Sequence, residues 1–168
     1  LAFYERVNGG VKLCISELTK LLEERNSLID TLKIHDLSEL DMKIVSAILE
    51  IINEDKPIIF LDEYDVKDMI CGKVGLHFMA SSFMLTELNH KIQHILKDEI
   101  FNTEVFDAEN ILLYISCGKD ISIQVINKIA SEIKSHVKLE VQIKLGCGIS
   151  DDENIIHVYV IYSRNKRI

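Results

Sequence analysis

The run MKIVSAILEII, Met42 to Ile52, leaves a helix almost no polar face. Ile44, Val45, Ala47, Ile48, Leu49, Ile51 and Ile52 point to all sides of such a helix. A helix apolar all round is buried all round. The run is too short to cross a bilayer. It therefore predicts a central helix with layers packed on both sides. Asp36 or Ser38 can cap it, and it extends to about Asn53. Pro57, the only proline, bars its continuation.

Periodicity sets out the remainder. Residues 10–25 have helical apolar spacing, and 27–34 can form a short strand. Asp65 to Cys71 reads as a short helix ended by Gly72. Strands are expected at 73–80, 110–116, 139–145 and 155–162. Helices are expected at 83–99, with Leu85, Leu88, Ile92, Ile95 and Leu96 inward, and at 121–135, with Val125, Ile126, Ile129 and Ile133 inward. The stretch GCGISDDEN has turn chemistry and predicts a terminal hairpin. The order is strand–helix–strand–helix–strand–strand. The fold class is α/β (α+β): a two-layer sandwich of a four-stranded mixed sheet and helices behind a long buried central helix.

The totals narrow the function classes. Apolar residues are 48 % of 168, enough for a sizeable core. A net charge of −8 argues against a general nucleic-acid or membrane-surface binder. The basic cluster Arg164–Asn165–Lys166–Arg167 reads as a solvated tail. Cys14, Cys71, Cys117 and Cys147 lie far apart with no C-x-x-C pair, as reduced thiols of a cytoplasmic protein would. No signal peptide or membrane-length apolar run is present. The chain opens on Leu1, as a piece of a longer protein would.

The chemistry concentrates in IIFLDEYDVKDMI, residues 58–70. Ile58 to Leu61 read as a buried strand or loop. Asp62, Glu63, Asp65 and Asp68 then follow within seven residues. Acids are favoured at a helix N-terminus by its dipole and free N–H groups, so capping accounts for Asp62 and Asp65 without catalysis. His90 and His94 share a helix face, with Asp98 a turn further, but no third ligand is evident; a solvated face is preferred. Cys117 beside Gly118 reads as an inert thiol. Asp151–Asp152–Glu153 lacks calcium-loop periodicity and reads as a solvated turn.

Several collinear stretches resemble one family. ISCGKDISIQVINKI, residues 115–129, is similar to the pattern I-T-G-G-x-D-L-S-L-x-E-V-N of the tubulin/FtsZ superfamily, in the C-terminal domain of the cell-division GTPase FtsZ. Ile115, Gly118, Asp120, Ser122 and Asn127 fit, and Cys117 replaces a glycine. In physical terms a strand ends in a tight turn, and Asp120 or Ser122 caps the next helix. DENIIHVYVIYS resembles the family's final strand, and ISELTKLLEERNSLIDTLKI its stretch before the core helix. AILEII then runs without a gap into the acids, where the family has N-x-D-x-x-D and this chain has Phe60-x-Asp62-x-x-Asp65.

The resemblance implies a division of the chain. Residues 1–35 would end the nucleotide-domain region, 36–56 would be the core helix, and 57–168 the C-terminal domain. It implies that Asp62 and Asp65 act catalytically in trans, polarising the water that attacks the γ-phosphate of a neighbouring subunit's GTP. GTP and Mg are implied for the complete protein, as is a head-to-tail homo-oligomer in the cytoplasm, without nucleic acid or membrane insertion. This chain lacks the family's Gly-rich phosphate loop, since Gly9–Gly10 is its one glycine pair. Alone it is expected to bind no cofactor and no metal and to be inactive. Phe60 replaces the motif's asparagine, and Leu40 stands where a polar residue contacts guanine. Two alternatives follow: a degenerate, non-hydrolysing scaffold, or a small regulatory module that binds a metabolite.

Overall fold

The computed structural model describes residues 3–4, 47–48, 50–51, 54–55, 57–70, 76–97 and 107–164. Its strands are β1 (Phe3–Tyr4), β2 (Pro57–Ile59), β3 (Leu76–Met84), β4 (Ala108–Cys117), β5 (Gln142–Ile149) and β6 (Ile155–Arg164). The helices are α1 (Glu63–Ile70), α2 (Leu88–Lys97), which follows a 3-10 turn at Leu85–Glu87, and α3 (Ile123–Ser135). The expected helix at 10–25, the short strand at 27–34 and the N-terminal half of the central helix lie outside the described residues.

Strand β4 organises the sheet. Its sequence AENILLYISC is apolar almost throughout, and it is buried along nearly its whole length. A strand buried on both faces needs partners on both edges and cover above and below. β6 lies antiparallel on one edge and β5 parallel on the other. The sheet order is β1-β3-β6-β4-β5-β2. The four expected strands form its centre, and the two short edge strands bring the total to six.

The expected terminal hairpin does not form. β5 and β6 are consecutive, yet β4 lies between them. The link at 150–154 passes the end of β4, where Ser150 N–H donates to Cys117 O at 2.7 Å. The turn chemistry was real, but β4 supplies the better apolar edge for both strands. Gly118 lets the link pass, because a Cβ there would lie 2.6 Å from the Glu153 backbone.

One face of the sheet holds the main core. Ile111, Leu113 and Ile115 of β4 pack with Val158 and Val160 of β6, and with Met79 and Phe83 of β3. Ile126, Ile129 and Ile133 of α3 and Leu88 and Ile92 of α2 cover them. The alternate β4 residues Leu112 and Tyr114 are also buried, on the opposite face. There α1 packs on β4 with Val66 and Met69 inward. Ala47, Ile48, Glu50 and Ile51 are helical, as expected of the central run; the three apolar ones are buried and Glu50 is exposed. Glu54, just beyond, accepts a hydrogen bond from Tyr114 Oη at 2.9 Å. Burial and that carboxylate both push the Tyr114 hydroxyl above its ordinary pKa. Gly148 leaves room for this bond, since a Cβ there would strike both partners.

Some boundaries differ from the sequence expectation. β3 runs on to Met84, because nine consecutive residues pair with β6. Leu85, expected inward, is 41 % exposed in the 3-10 turn. Leu139 was expected to start a strand, but it precedes β5 and is 99 % exposed. Ser122 stands at the N-cap of α3 in extended backbone, yet its hydroxyl makes no cap bond. Among the described residues, no helix is long and apolar enough to cross a membrane.

Candidate functional site

The acidic stretch leaves edge strand β2 and enters α1. Ile58 and Phe60 were expected to be buried, but they are 40 % and 64 % exposed. Among the described residues β2 pairs on one side only, with β5. Leu61 turns inward and is 6 % exposed. It sits over Gly146, where a Cβ would lie 2.3 Å from Leu61 Cδ1. Leu61 therefore pins the loop to the sheet one residue before Asp62.

Asp62 and Asp65 close a reciprocal cap. Asp65 N–H donates to Asp62 Oδ1 at 2.7 Å, and Asp62 N–H to Asp65 Oδ2 at 3.4 Å. Each carboxylate satisfies an N–H that the first helical turn leaves unpaired, the capping-box arrangement built here from two aspartates. The capping account of these residues is thus correct. Tyr64, between them, is 76 % exposed.

Lys144 of β5 adds a second tether. Its Nζ lies 2.9 Å from Asp65 Oδ1 and 3.0 Å from Asp68 Oδ2, one turn apart on α1. The bond to Lys144 is the main reason that Asp65 holds its proton less tightly than an ordinary carboxyl. The bond to Asp65 likewise raises the Lys144 pKa. The signs agree. The Asp65 contribution to stability is present above its unfolded pKa and is lost as pH falls through the lowered folded value. The Lys144 contribution is present below its unfolded pKa and is lost as pH rises through the raised one. The tether therefore spans the whole neutral range.

This arrangement limits the chemistry. A carboxylate held ionised by a cation is a weak base but a good hydrogen-bond acceptor. Asp65 can orient a water better than it can deprotonate one. Asp62 is exposed, and its Oδ2 accepts no hydrogen bond from a described residue.

The other sequence candidates are scattered. His90 and His94 are exposed, with ring centroids 6.4 Å apart, and Asp98 lies outside the described residues. No group of three metal-ligand side chains occurs among the described residues. Cys117 is fully buried with its Sγ 3.8 Å from that of Cys147. Cys14, Cys71, Leu40 and the basic cluster's side chains lie outside the described residues. Asp152 accepts from Asn154 N–H and Glu153 pairs with Lys119, so these acids serve the link between β5 and β6. Lys144 was not singled out in the sequence. It lies 79 residues from Asp65, and no local spacing joins them.

Comparison with known proteins agrees with this architecture. Residues 84–164 match the FtsZ family, C-terminal domain. An FtsZ dimer from M. jannaschii superposes with a TM-score of 0.59 at 14 % identity, over 89 % of this chain and 48 % of that one. TubZ of Bacillus thuringiensis serovar israelensis, in GDP-form protofilaments, gives 0.53 at 17 % identity, over 74 % and 35 %. The same TubZ in a GTPγS-form protofilament gives 0.54 at 16 % identity, over 89 % and 48 %. The chain thus spans about half the length of the solved structures it resembles. No curated protein matches it by sequence. From strand order, helix placement and the matched segment together, this chain carries a tubulin/FtsZ-like C-terminal domain.

Proposed function

We propose that this chain is the C-terminal half of an FtsZ-like, filament-forming GTPase of cell division, working in the cytoplasm as a head-to-tail homo-oligomer. Its acidic loop stimulates hydrolysis of GTP held by the neighbouring subunit. The observation that carries this reading is the reciprocal bonding of Asp62 and Asp65 at the start of α1. Each carboxylate of the pair holds the other's backbone N–H, and the exposed Phe60 and Tyr64 flank Asp62. Phosphoryl transfer asks little covalent chemistry of a protein; it asks for a placed water and compensated charge. Two fixed carboxylates can accept hydrogen bonds from one water and direct its lone pair at the γ-phosphate. Supplying them from a neighbour makes turnover depend on assembly, and a heterologous contact propagates into an open filament.

The loop's acids do not themselves suit a metal, because Lys144 already binds Asp65 and Asp68. Mg would accompany the nucleotide on the other subunit. One observation favours the scaffold alternative: Phe60, 64 % exposed, stands where the resembled motif has asparagine.

The 168-residue chain by itself is expected to bind no GTP, because it has no phosphate-cradling loop. Equilibrium binding of labelled GTP checks this. Saturable binding would overturn the division of labour between the two halves.

A further inference from the structure

Four acids crowd the start of α1: Asp62, Glu63, Asp65 and Asp68. On the proposed function, this loop must approach the phosphates of a bound nucleotide. Like charges at such range repel unless a cation is built in. Among the described side chains, Lys144 is the one cation bonded to these acids. It rises from β5, whose neighbours β4 and β2 flank it in the sheet, and its side chain is only 19 % exposed. Its two bonds reach consecutive turns of α1, so they fix the rotation of the helix as well as its distance from the sheet. Asp65 is in turn the partner that orients Asp62.

We infer that Lys144 is the positioning residue of the acidic loop: through Asp65 and Asp68 it aims the Asp62–Asp65 pair, and it offsets the loop's charge against the neighbour's nucleotide. The inference rests on the trans-acting reading of the loop. It adds a residue from a different strand, outside the acidic motif. Lys144 acts through the two aspartates it bonds.

The test compares variants of the full-length polypeptide by GTP turnover at equal filament mass. Lys144→Met keeps the aliphatic stem and removes the charge. It should lower turnover by about 10-fold or more, since small misplacements of reacting groups carry penalties of that order. Lys144→Arg should restore turnover to within about 3-fold of the parent, because a guanidinium can span both carboxylates. In the 168-residue chain, carboxyl-carbon NMR should show the Asp65 pKa raised in Lys144→Met, a readout that general loosening of the sheet would not move selectively. Asp65→Ala in the same turnover assay separates two failures. Parental turnover in Lys144→Met, where Asp65→Ala is slow, overturns the inference. An Asp65 pKa unmoved by Lys144→Met also overturns it. Parental turnover in both variants removes the loop reading and the inference with it. Where Lys144→Met does not fold, Asp68→Asn severs one arm alone. A fall in turnover that Lys144→Arg cannot reproduce supports the inference, and an unchanged rate together with an unchanged Asp65 pKa contradicts it.

Discussion

Asp65→Ala, in the full-length polypeptide, is expected to slow GTP turnover by about 10²-fold or more, the range for losing the placement of a reacting group. Three contacts fail together: the Asp65 hydrogen bond to Asp62 N–H, the ion pair with Lys144, and the water contact that the loop would supply. Nucleotide binding by the single subunit should be unchanged, because on the proposed function the acids act on a neighbour. Filaments should persist, since loss of hydrolysis removes a step and not an interface. Asp68→Ala is not a neutral control, because Asp68 shares Lys144. Asp151→Ala is suitable: it is exposed and lies in the link between β5 and β6. Phosphate release at matched polymer mass is the measurement. An Asp65→Ala rate equal to the parent's would leave Asp65 as a helix cap alone.

The second large effect concerns stability. Ile115 is fully buried toward the C-terminal end of β4, and α3 covers that face of the sheet. Ile115→Ala should cost about 2–5 kcal/mol, from lost transfer energy plus a cavity that the surrounding strands cannot close. For a chain of this length each kcal/mol lowers the midpoint by about 2–4 °C, so a drop on the order of 10 °C is expected. Thermal and urea unfolding of the 168-residue chain check it. A loss below about 1 kcal/mol would mean that β4 is not the centre of the core.

What the sequence disclosed follows from the range of each interaction. β4, α3 and β6 were legible because their signal is local: a continuous apolar run, a 3.6-residue period and a β-branched aromatic run. The strand order was not. GCGISDDEN does turn the chain, but whether β5 then pairs with β6 or crosses β4 depends on which edges are free. The start of α2 was placed too early for a similar reason. The helix was expected from residue 83, whereas pairing with β6 holds Phe83 and Met84 extended. Asp62 and Asp65 were found through their register with a family pattern, and their capping through helix-terminus physics. Lys144 and the Tyr114–Glu54 bond were invisible, because each joins residues that lie at least 60 apart in sequence.

The central claim is that the acids work across a subunit boundary. Mixing two inactive subunits tests it most directly. One carries Asp62→Asn and Asp65→Asn with an intact nucleotide site; the other keeps the acids but has its nucleotide site disabled in the upstream domain. Each alone should turn over almost no GTP. Co-assembled, they should recover a large share of parental turnover, because every contact that sets an intact loop against a loaded site is productive. A mixture no faster than the sum of its parts, with co-filaments present, would contradict the claim.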